Sequence, residues 1–292
     1  MIKRKLKLLL LFFVIISLHI SCQQKQKSNN RNETKLKGKL FVIGGGKRPV
    51  SLIDSLLTIS EIKDDELLLI LPFASVNPKL LGQSAKKQFS DLGIKNIVVS
   101  ELPDSLGDNS SIIEAINKSK LIYITGGDQN RFMELINKTG ISTAINNAYY
   151  RGATISGTSA GAALMSLNMI SGNEFKHPKY TGEYRSIEAQ NIEIVTGLGL
   201  LKNSIIDQHF VKRMRMNRLI TIAIEHPHKT CIGIDESTAI LIDNGFVKVY
   251  GLSQVIVLNN KGKTNVAKNG LLNANNLHLQ VLTVGESFSI NE

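Results

Sequence analysis

Between residues 40 and 156, short apolar runs alternate with longer helix-like stretches. The apolar runs are Leu40–Ile43, Leu67–Leu71, Asn96–Val99, Leu121–Ile124 and Ala153–Ser156. The helix-like stretches lie near Ser51–Ser60, Lys79–Leu92, Ser111–Asn117, Gln129–Asn137 and Ile141–Tyr150. Strands of continuous apolar character are typical of a parallel sheet that is covered on both faces. The pattern therefore predicts an α/β fold, with a mostly parallel sheet and helices on both faces.

After about Cys231 the alternation gives way to closely spaced, short apolar runs. These runs are Ala239–Ile242, Phe246–Val249, Gln254–Val257 and Val281–Val284. The tripeptide Asp243-Asn244-Gly245 between the first two is a hairpin turn signal. We therefore expect added antiparallel strands in the C-terminal part, within the sheet or beside it, and a single domain over residues 40–292.

The formal net charge of +11 is concentrated at the N-terminus. Residues 1–39 contain ten Lys or Arg residues and one acid, Glu33, which together account for +9 of that charge. Residues 40–292 are therefore nearly neutral, and the basic character of the whole chain does not indicate binding to nucleic acid.

Residues 1–22 are predicted to be an export signal. The basic segment Lys3–Lys7 precedes an apolar stretch, Leu8–Ile16, that is too short to span a bilayer as a stable helix. The small residue before Cys22 resembles a bacterial lipoprotein signal, in which the cysteine carries the lipid, although Leu18 stands one place away from its usual position. The alternative is an ordinary secretory signal with a chance cysteine.

Residues 23–39 are polar and have no apolar period, which predicts a flexible tether. With lipid on Cys22, the protein would be an exported, membrane-anchored lipoprotein of the periplasm or the cell surface. Cys231, the other cysteine, lies in an apolar run and is predicted to be a core residue. The Cys and His residues do not have the spacing of a zinc site, so we expect no metal.

The segment Gly157–Ala162 has the pattern G-x-S-x-G. It lies between a strand-like run and a helix-like run, Ala162–Leu167, which is the context of a nucleophile elbow. Ser159 would then be the nucleophile, with the backbone N–H groups of Ala160 and of the Gly126-Gly127 turn as oxyanion donors. The alternative is a small-residue turn whose serine caps a helix. Gly-rich strand ends at Gly44–Gly46, Gly126-Gly127 and Gly157 should meet in one crevice.

A catalytic serine needs a base, and the base needs an acid that orients it. Among the six histidines, His209 follows the apolar pair Ile205-Ile206 in a polar triplet, which is the position of a site residue at a strand end. A hydrogen-bonded structural imidazole is the alternative. The acid would be Asp235 or Glu236, which point to opposite faces if the strand is regular.

Three arginines, Arg213, Arg215 and Arg218, follow His209 closely in sequence. On a helix, Arg215 and Arg218 would share a face while Arg213 points elsewhere. A guanidinium group suits bidentate binding of carboxylates, so at least one arginine is expected to bind substrate. The alternative is a solvated basic helix.

Six sequence blocks, in this order, resemble cyanophycinase, the serine exopeptidase of peptidase family S51, whose fold is similar to that of class I glutamine amidotransferases. The blocks are Ile43–Gly46, Leu71–Ser75, Gly126–Gln129, Gly157–Ala162, Asp207–Phe210 with the three arginines, and Gly233–Glu236 with Thr238-Ala239. One departure is Lys47, which stands where the family pattern has an acidic residue.

The resemblance implies a role for each of the matching residues. Ser159 would be the nucleophile, His209 the general base and Glu236 the orienting acid. Around the substrate it places Gln129, Asp207, Gln208, Arg213, Arg215 and Arg218. The implied substrate is cyanophycin, a poly-aspartate that carries arginine on each β-carboxyl and is cut to β-Asp-Arg dipeptides, without a cofactor.

Two rival hypotheses remain at this stage. An aspartyl dipeptidase of the same fold would share Ser159 and His209 but would not need three arginines and Gln129 around a side-chain-linked substrate. A non-catalytic binding lipoprotein would not need Ser159, His209 and Glu236 together. The expected partners are a peptide or cyanophycin-type polymer and, through the lipid anchor, a membrane. A homodimer is a further hypothesis.

Overall fold

The computed structural model describes residues 37–104, 107–179, 181 and 185–292. The predicted export signal, Cys22 and nearly all of the predicted tether therefore lie outside the described residues. The helices are α1 (Val50–Ser60), α2 (Pro78–Ser90), α3 (Ser110–Lys118), α4 (Gln129–Ile136), α5 (Ile141–Tyr150), α6 (Ala160–Ala163) and α7 (Met216–Glu225). The strands are β1 (Leu40–Ile43), β2 (Leu67–Leu71), β3 (Ile97–Val99), β4 (Ser119–Ile124), β5 (Thr154–Thr158), β6 (Asn168–Glu174), β7 (Ile192–Thr196), β8 (Ser204–Gln208), β9 (Thr230–Ile234), β10 (Thr238–Asp243), β11 (Phe246–Gly251), β12 (Val255–Asn260), β13 (Thr264–Val266), β14 (Leu272–Ala274), β15 (Leu277–Leu282) and β16 (Ser287–Ser289).

An eight-stranded sheet in the order β16-β11-β10-β1-β5-β4-β2-β3 forms the centre of the domain. The five strands from β1 to β3 in this order are parallel, and β10, β11 and β16 extend the β1 edge in antiparallel fashion. The prediction of an α/β fold with a mostly parallel sheet and added antiparallel C-terminal strands is confirmed.

Both faces of the central sheet are buried, which explains why its strands are apolar throughout. In β1, the alternate residues Leu40 and Val42 belong to one hydrophobic cluster, whereas Phe41 and Ile43 belong to another. The second cluster includes Leu52 of α1 and receives further residues from α2. Because neighbouring side chains of a strand point to opposite faces, each face needs its own layer of helices.

A second sheet, in the order β15-β12-β9-β8, was not predicted as a separate layer. Its strands β8 and β9 are parallel, while β12 and β15 add in antiparallel fashion. Two hairpins, β6–β7 and β13–β14, complete the strands that the structure describes. The second sheet matters for function because the end of β8 and the end of β9 carry the predicted base and acid.

The predicted helix from Ala162 to Leu167 is wrong in extent. The helix that follows Ser159 is a single turn, α6, because the chain then leaves it to make other contacts. The Leu167 amide donates to the Leu201 carbonyl at 2.7 Å, and the Ser166 hydroxyl accepts from the Ile206 amide at 3.0 Å. These bonds tie the end of the elbow to β8.

The predicted tether extends too far toward the domain. Gly38 is buried, its amide donates to the Tyr149 carbonyl at 2.6 Å, and the Lys39 carbonyl accepts from the Ile155 amide. Residues 37–292 form one compact unit, so the domain begins before residue 40. Within the described residues, no helix has the length and apolar character needed to cross a membrane.

Cys231 is a free, fully buried cysteine in the core around β8, β9 and α7. Burial raises the pKa of its thiol to about 12, so the thiol is neutral and unreactive. The prediction of a core residue agrees with this position.

Candidate active site

Ser159 stands on a sharp turn between β5 and α6. Its backbone has φ 55° and ψ −113°, a conformation that L-residues rarely adopt. The tight turn is possible because Gly157 and Gly161 have no side chains: a Cβ on Gly157 would lie 2.2 Å from the Gly161 carbonyl oxygen. This strained strand-to-helix turn projects the serine hydroxyl out of the sheet, as a nucleophile elbow does.

His209 follows β8 and reaches Ser159 across the gap between the two sheets. Its Nε2 lies 2.7 Å from the Ser159 Oγ, and its own amide donates to the Gly44 carbonyl at 2.7 Å. A Cβ on Gly45 would lie 2.4 Å from the His209 Cε1. Glycine at the end of β1 therefore leaves the space in which the imidazole lies.

Glu236, and not Asp235, contacts the histidine. The Glu236 Oε1 lies 2.7 Å from the His209 Nδ1. Asp235 faces elsewhere, because its carboxylate accepts from the Lys212 amide at 2.9 Å and from the Ser253 hydroxyl at 2.6 Å. The choice that the sequence left open between these two acids is thus decided by geometry.

The surroundings of His209 favour a neutral imidazole. Burial lowers the pKa of His209 below its ordinary value, and the positive charges of Arg213 and Arg215 act in the same direction. The hydrogen bond that His209 donates to Glu236, and the negative charge of Glu236, oppose this shift without cancelling it. A neutral ring is the form that can accept the proton of a serine hydroxyl at neutral pH.

Of the two predicted oxyanion donors, Ala160 follows Ser159 directly in the chain, and Gly127 belongs to a turn whose other glycine, Gly126, lies beside Ser159. Ala160 is the first residue of α6, so its N–H is among those that a helix leaves without an intrahelical acceptor. The Gly126-Gly127 turn approaches from β4, where a Cβ on Gly126 would lie 3.3 Å from the Ser159 Cβ. Gly127 has φ 142°, and a Cβ there would lie 2.2 Å from the Ala74 carbonyl oxygen, so no side chain fits at this position.

Asp207, Gln208, Arg215 and Arg218 form one buried network. Asp207, which is 1% exposed, accepts from the Arg218 Nε at 2.9 Å and, through its other oxygen, from the Arg218 Nη2. The Arg215 Nη1 donates to the Gln208 Oε1 at 3.0 Å and to Asp207 at 3.4 Å. These contacts hold both guanidinium groups in fixed positions.

The three arginines do not share one helix, contrary to the expectation. Helix α7 begins at Met216, so Arg213 and Arg215 precede it in a turn and Arg218 lies in its first turn. Arg213 is exposed and forms no ion pair with an acid among the described residues. Because Arg215 and Arg218 are both paired with Asp207, the exposed Arg213 is the arginine best placed to meet a bound ligand.

A cavity of about 450 Å³, which we call the basic cavity, opens beside these arginines. Its wall includes the three arginines together with residues of β6, of β7 and of the chain between those strands. Gln129 is bonded to β6, where its Nε2 donates to the carbonyls of Ile170 and Ser171 at 2.9 and 2.6 Å. The described lining of the basic cavity thus contains the three predicted arginines, whereas Ser159, His209, Glu236 and Gln129 are not part of it.

Two lining residues of the basic cavity, Glu174 and Asn191, were missed in the sequence. They belong to the β6–β7 region, where β6 has the polar, glycine-containing sequence NMISGNE. The alternation in β7, Ile192-Glu193-Ile194, was the one signal of a strand there. Among the described residues, no group of three or more His, Cys, Asp or Glu side chains could hold a metal ion.

A serine on an elbow, hydrogen-bonded to a histidine at the carboxyl ends of a parallel sheet, defines the class of α/β serine hydrolases. The profile of peptidase family S51 matches residues 40–250. The chain belongs to peptidase family S51 and is a serine peptidase.

Curated relatives support this assignment over nearly the whole domain. A cyanophycinase from Geminocystis herdmanii is 32% identical over 266 residues, which cover 87% of this chain and 94% of the relative. A cyanophycinase from Nostoc sp. is 30% identical over 270 residues, covering 89% and 88%.

Solved structures show the same fold. A peptidase from an acI-B1 Actinobacterium superposes with a TM-score of 0.66 at 23% identity, covering 88% of this chain and 98% of the other. A Listeria monocytogenes protein solved as a candidate peptidase E superposes with a TM-score of 0.55 at 19% identity, covering 74% and 100%.

Proposed function

We propose that this protein is an exopeptidase that hydrolyses cyanophycin to β-Asp-Arg dipeptides through a Ser-His-Glu triad. The observation that carries the proposal is the hydrogen-bonded chain from the Ser159 Oγ through His209 to the Glu236 Oε1, with 2.7 Å at each contact. The curated relatives named cyanophycinase support the choice of substrate.

In the proposed reaction, Ser159 attacks the scissile carbonyl while the His209 Nε2 accepts the hydroxyl proton. Glu236 holds the ring by its Nδ1–H and stabilises the imidazolium that forms. The N–H groups of Ala160 and Gly127 bind the oxyanion, and His209 then donates its proton to the leaving amine. Water attacks the acyl-enzyme by the same route and regenerates the free serine.

An aspartyl dipeptidase activity is the alternative, because a structure solved as a candidate peptidase E shares the fold. The two substrates differ in linkage, so a direct comparison separates them. Purified protein is incubated with cyanophycin and with α-Asp-X dipeptides, and the products are identified by mass. Release of β-Asp-Arg from the polymer supports the proposal, whereas hydrolysis of the α-dipeptides alone supports the alternative.

Arg213 is expected to bind substrate, whereas Arg218 is expected to stabilise the fold. Arg213→Ala should lower kcat/KM on a β-Asp-Arg oligomer by about tenfold or more, since a charged hydrogen bond contributes ~1.5–3 kcal/mol. Arg218→Ala should lower the free energy of unfolding by about 3 kcal/mol, because the buried Asp207 carboxylate loses its two-point partner and keeps only the 3.4 Å contact with Arg215 as an ion pair. Chemical denaturation and steady-state kinetics measure both effects. Unchanged kinetics of Arg213→Ala would remove that residue from the substrate site.

We also propose export and lipid anchoring through Cys22, which precedes a polar segment. Cys22→Ser should move the protein from the membrane fraction to the soluble fraction, because the serine has no thiol to accept lipid. The specific activity should stay the same. Fractionation and mass analysis of the mature N-terminus test this expectation. Membrane association that persists in the variant would contradict it.

We propose in addition that the protein forms a homodimer, and its molar mass in solution measures this.

A further inference from the structure

The basic cavity contains one acid whose role the catalytic scheme does not explain. Its described lining includes five Lys or Arg side chains, Lys179, Arg185, Arg213, Arg215 and Arg218, and a single acid, Glu174. A lone carboxylate among five cations would normally be neutralised by one of them. Glu174 forms no ion pair with any described residue of the chain.

A buried amide holds the Glu174 carboxylate instead. Asn191 is 2% exposed, and its Nδ2 donates to the Glu174 Oε2 at 3.2 Å. Asn191 is fixed in turn, because its Oδ1 accepts from the Lys176 amide at 2.9 Å and its carbonyl accepts from the Phe175 amide at 2.8 Å. The arrangement orients Glu174 through one oxygen and leaves the other, Oε1, without a partner among the described residues.

Asp207 is not available for a cationic ligand. It is almost fully buried, and Arg215 and Arg218 already occupy its carboxylate, while its Oδ1 also accepts from the Gln208 amide. Within its described lining, the basic cavity therefore offers one open carboxylate, on Glu174, and one guanidinium without an ion pair, on Arg213. A ligand that carries both a positive and a negative group would satisfy both.

We propose that Glu174 binds the guanidinium group of the substrate's arginine, while Arg213 binds its carboxylate. This inference rests on the proposed function, since β-Asp-Arg units supply both charges. Glu174 would then be a specificity-determining residue, because an arginine side chain entering a wall of arginines is repelled unless a carboxylate receives it. Asn191 is the positioning residue that keeps this carboxylate turned toward the cavity.

The test compares a β-Asp-Arg oligomer with the same oligomer containing citrulline, which has the shape of arginine without its charge. The wild-type protein should prefer the arginine oligomer by about tenfold or more in kcat/KM, as expected for a charged hydrogen bond. Glu174→Gln should reduce this preference to near one. Glu193→Gln, a matched change on β7 outside the cavity lining, should leave it intact.

A binding arm separates this inference from the proposed function. Calorimetry with Ser159→Ala measures the affinity for β-Asp-Arg and β-Asp-citrulline, with and without Glu174→Gln. If the polymer is not cleaved but the dipeptides show a Glu174-dependent preference for arginine, the proposed function fails and the inference holds. Equal affinity for both dipeptides, or a preference that survives Glu174→Gln, overturns the inference.

Discussion

Replacing Ser159 with alanine is expected to abolish hydrolysis and leave the fold intact. Among the described residues, the Ser159 Oγ has one hydrogen-bond partner, the His209 Nε2, so its removal leaves few other groups without a partner. Alanine keeps the Cβ of serine, and the backbone strain of the elbow is therefore the same in both proteins. Loss of a triad nucleophile lowers kcat by about a millionfold, which is the effect we expect here.

Dipeptide release from the polymer measures kcat, and fluorophosphonate labelling reports the nucleophile independently. Ser84→Ala is the matched control, because Ser84 is an exposed serine on α2, remote from the elbow in sequence. The control should keep wild-type turnover and labelling, and both variants should unfold at the wild-type temperature. Turnover by Ser159→Ala at the wild-type rate would end the assignment of the nucleophile.

Ser159 could be found in the sequence because all the determinants of the elbow are local. The tight turn requires glycine at positions 157 and 161, and the strand and helix that flank it follow directly in the chain. The five parallel strands were predictable for a similar reason, since burial of both faces makes each one apolar throughout.

The sequence could not show whether Asp235 or Glu236 contacts His209, because the regular alternation of a strand ends just before these two residues. Strand β9 ends at Ile234, and the chain then turns so that Asp235 bonds Lys212 and Ser253 while Glu236 reaches His209. The β6–β7 hairpin was missed because β6 has few apolar residues, and Glu174 was missed with it. Such placements depend on contacts between segments that are distant in sequence.

Glu236→Gln is expected to lower kcat by about 10⁴, as loss of the orienting carboxylate does in other triads. The amide retains the shape of the side chain but can present an N–H to the Nδ1 of His209, which favours the wrong tautomer. The substitution also removes the carboxylate hydrogen bond and the negative charge, which both raise the pKa of His209. The acidic limb of the pH profile of kcat/KM should therefore move to lower pH. A merely structural residue would not shift that limb.

Asp235→Asn separates the two neighbouring acids. Asp235 accepts hydrogen bonds from the Lys212 amide and the Ser253 hydroxyl, and it does not contact His209. Its substitution should lower the melting temperature with little change in kcat, because the lost contacts hold the loop and not the imidazole. The reverse ranking, with kcat falling in Asp235→Asn and retained in Glu236→Gln, would assign the orienting role to Asp235. Since the Glu236 Oε1 and the His209 Nδ1 are 2.7 Å apart, we expect the large loss at Glu236.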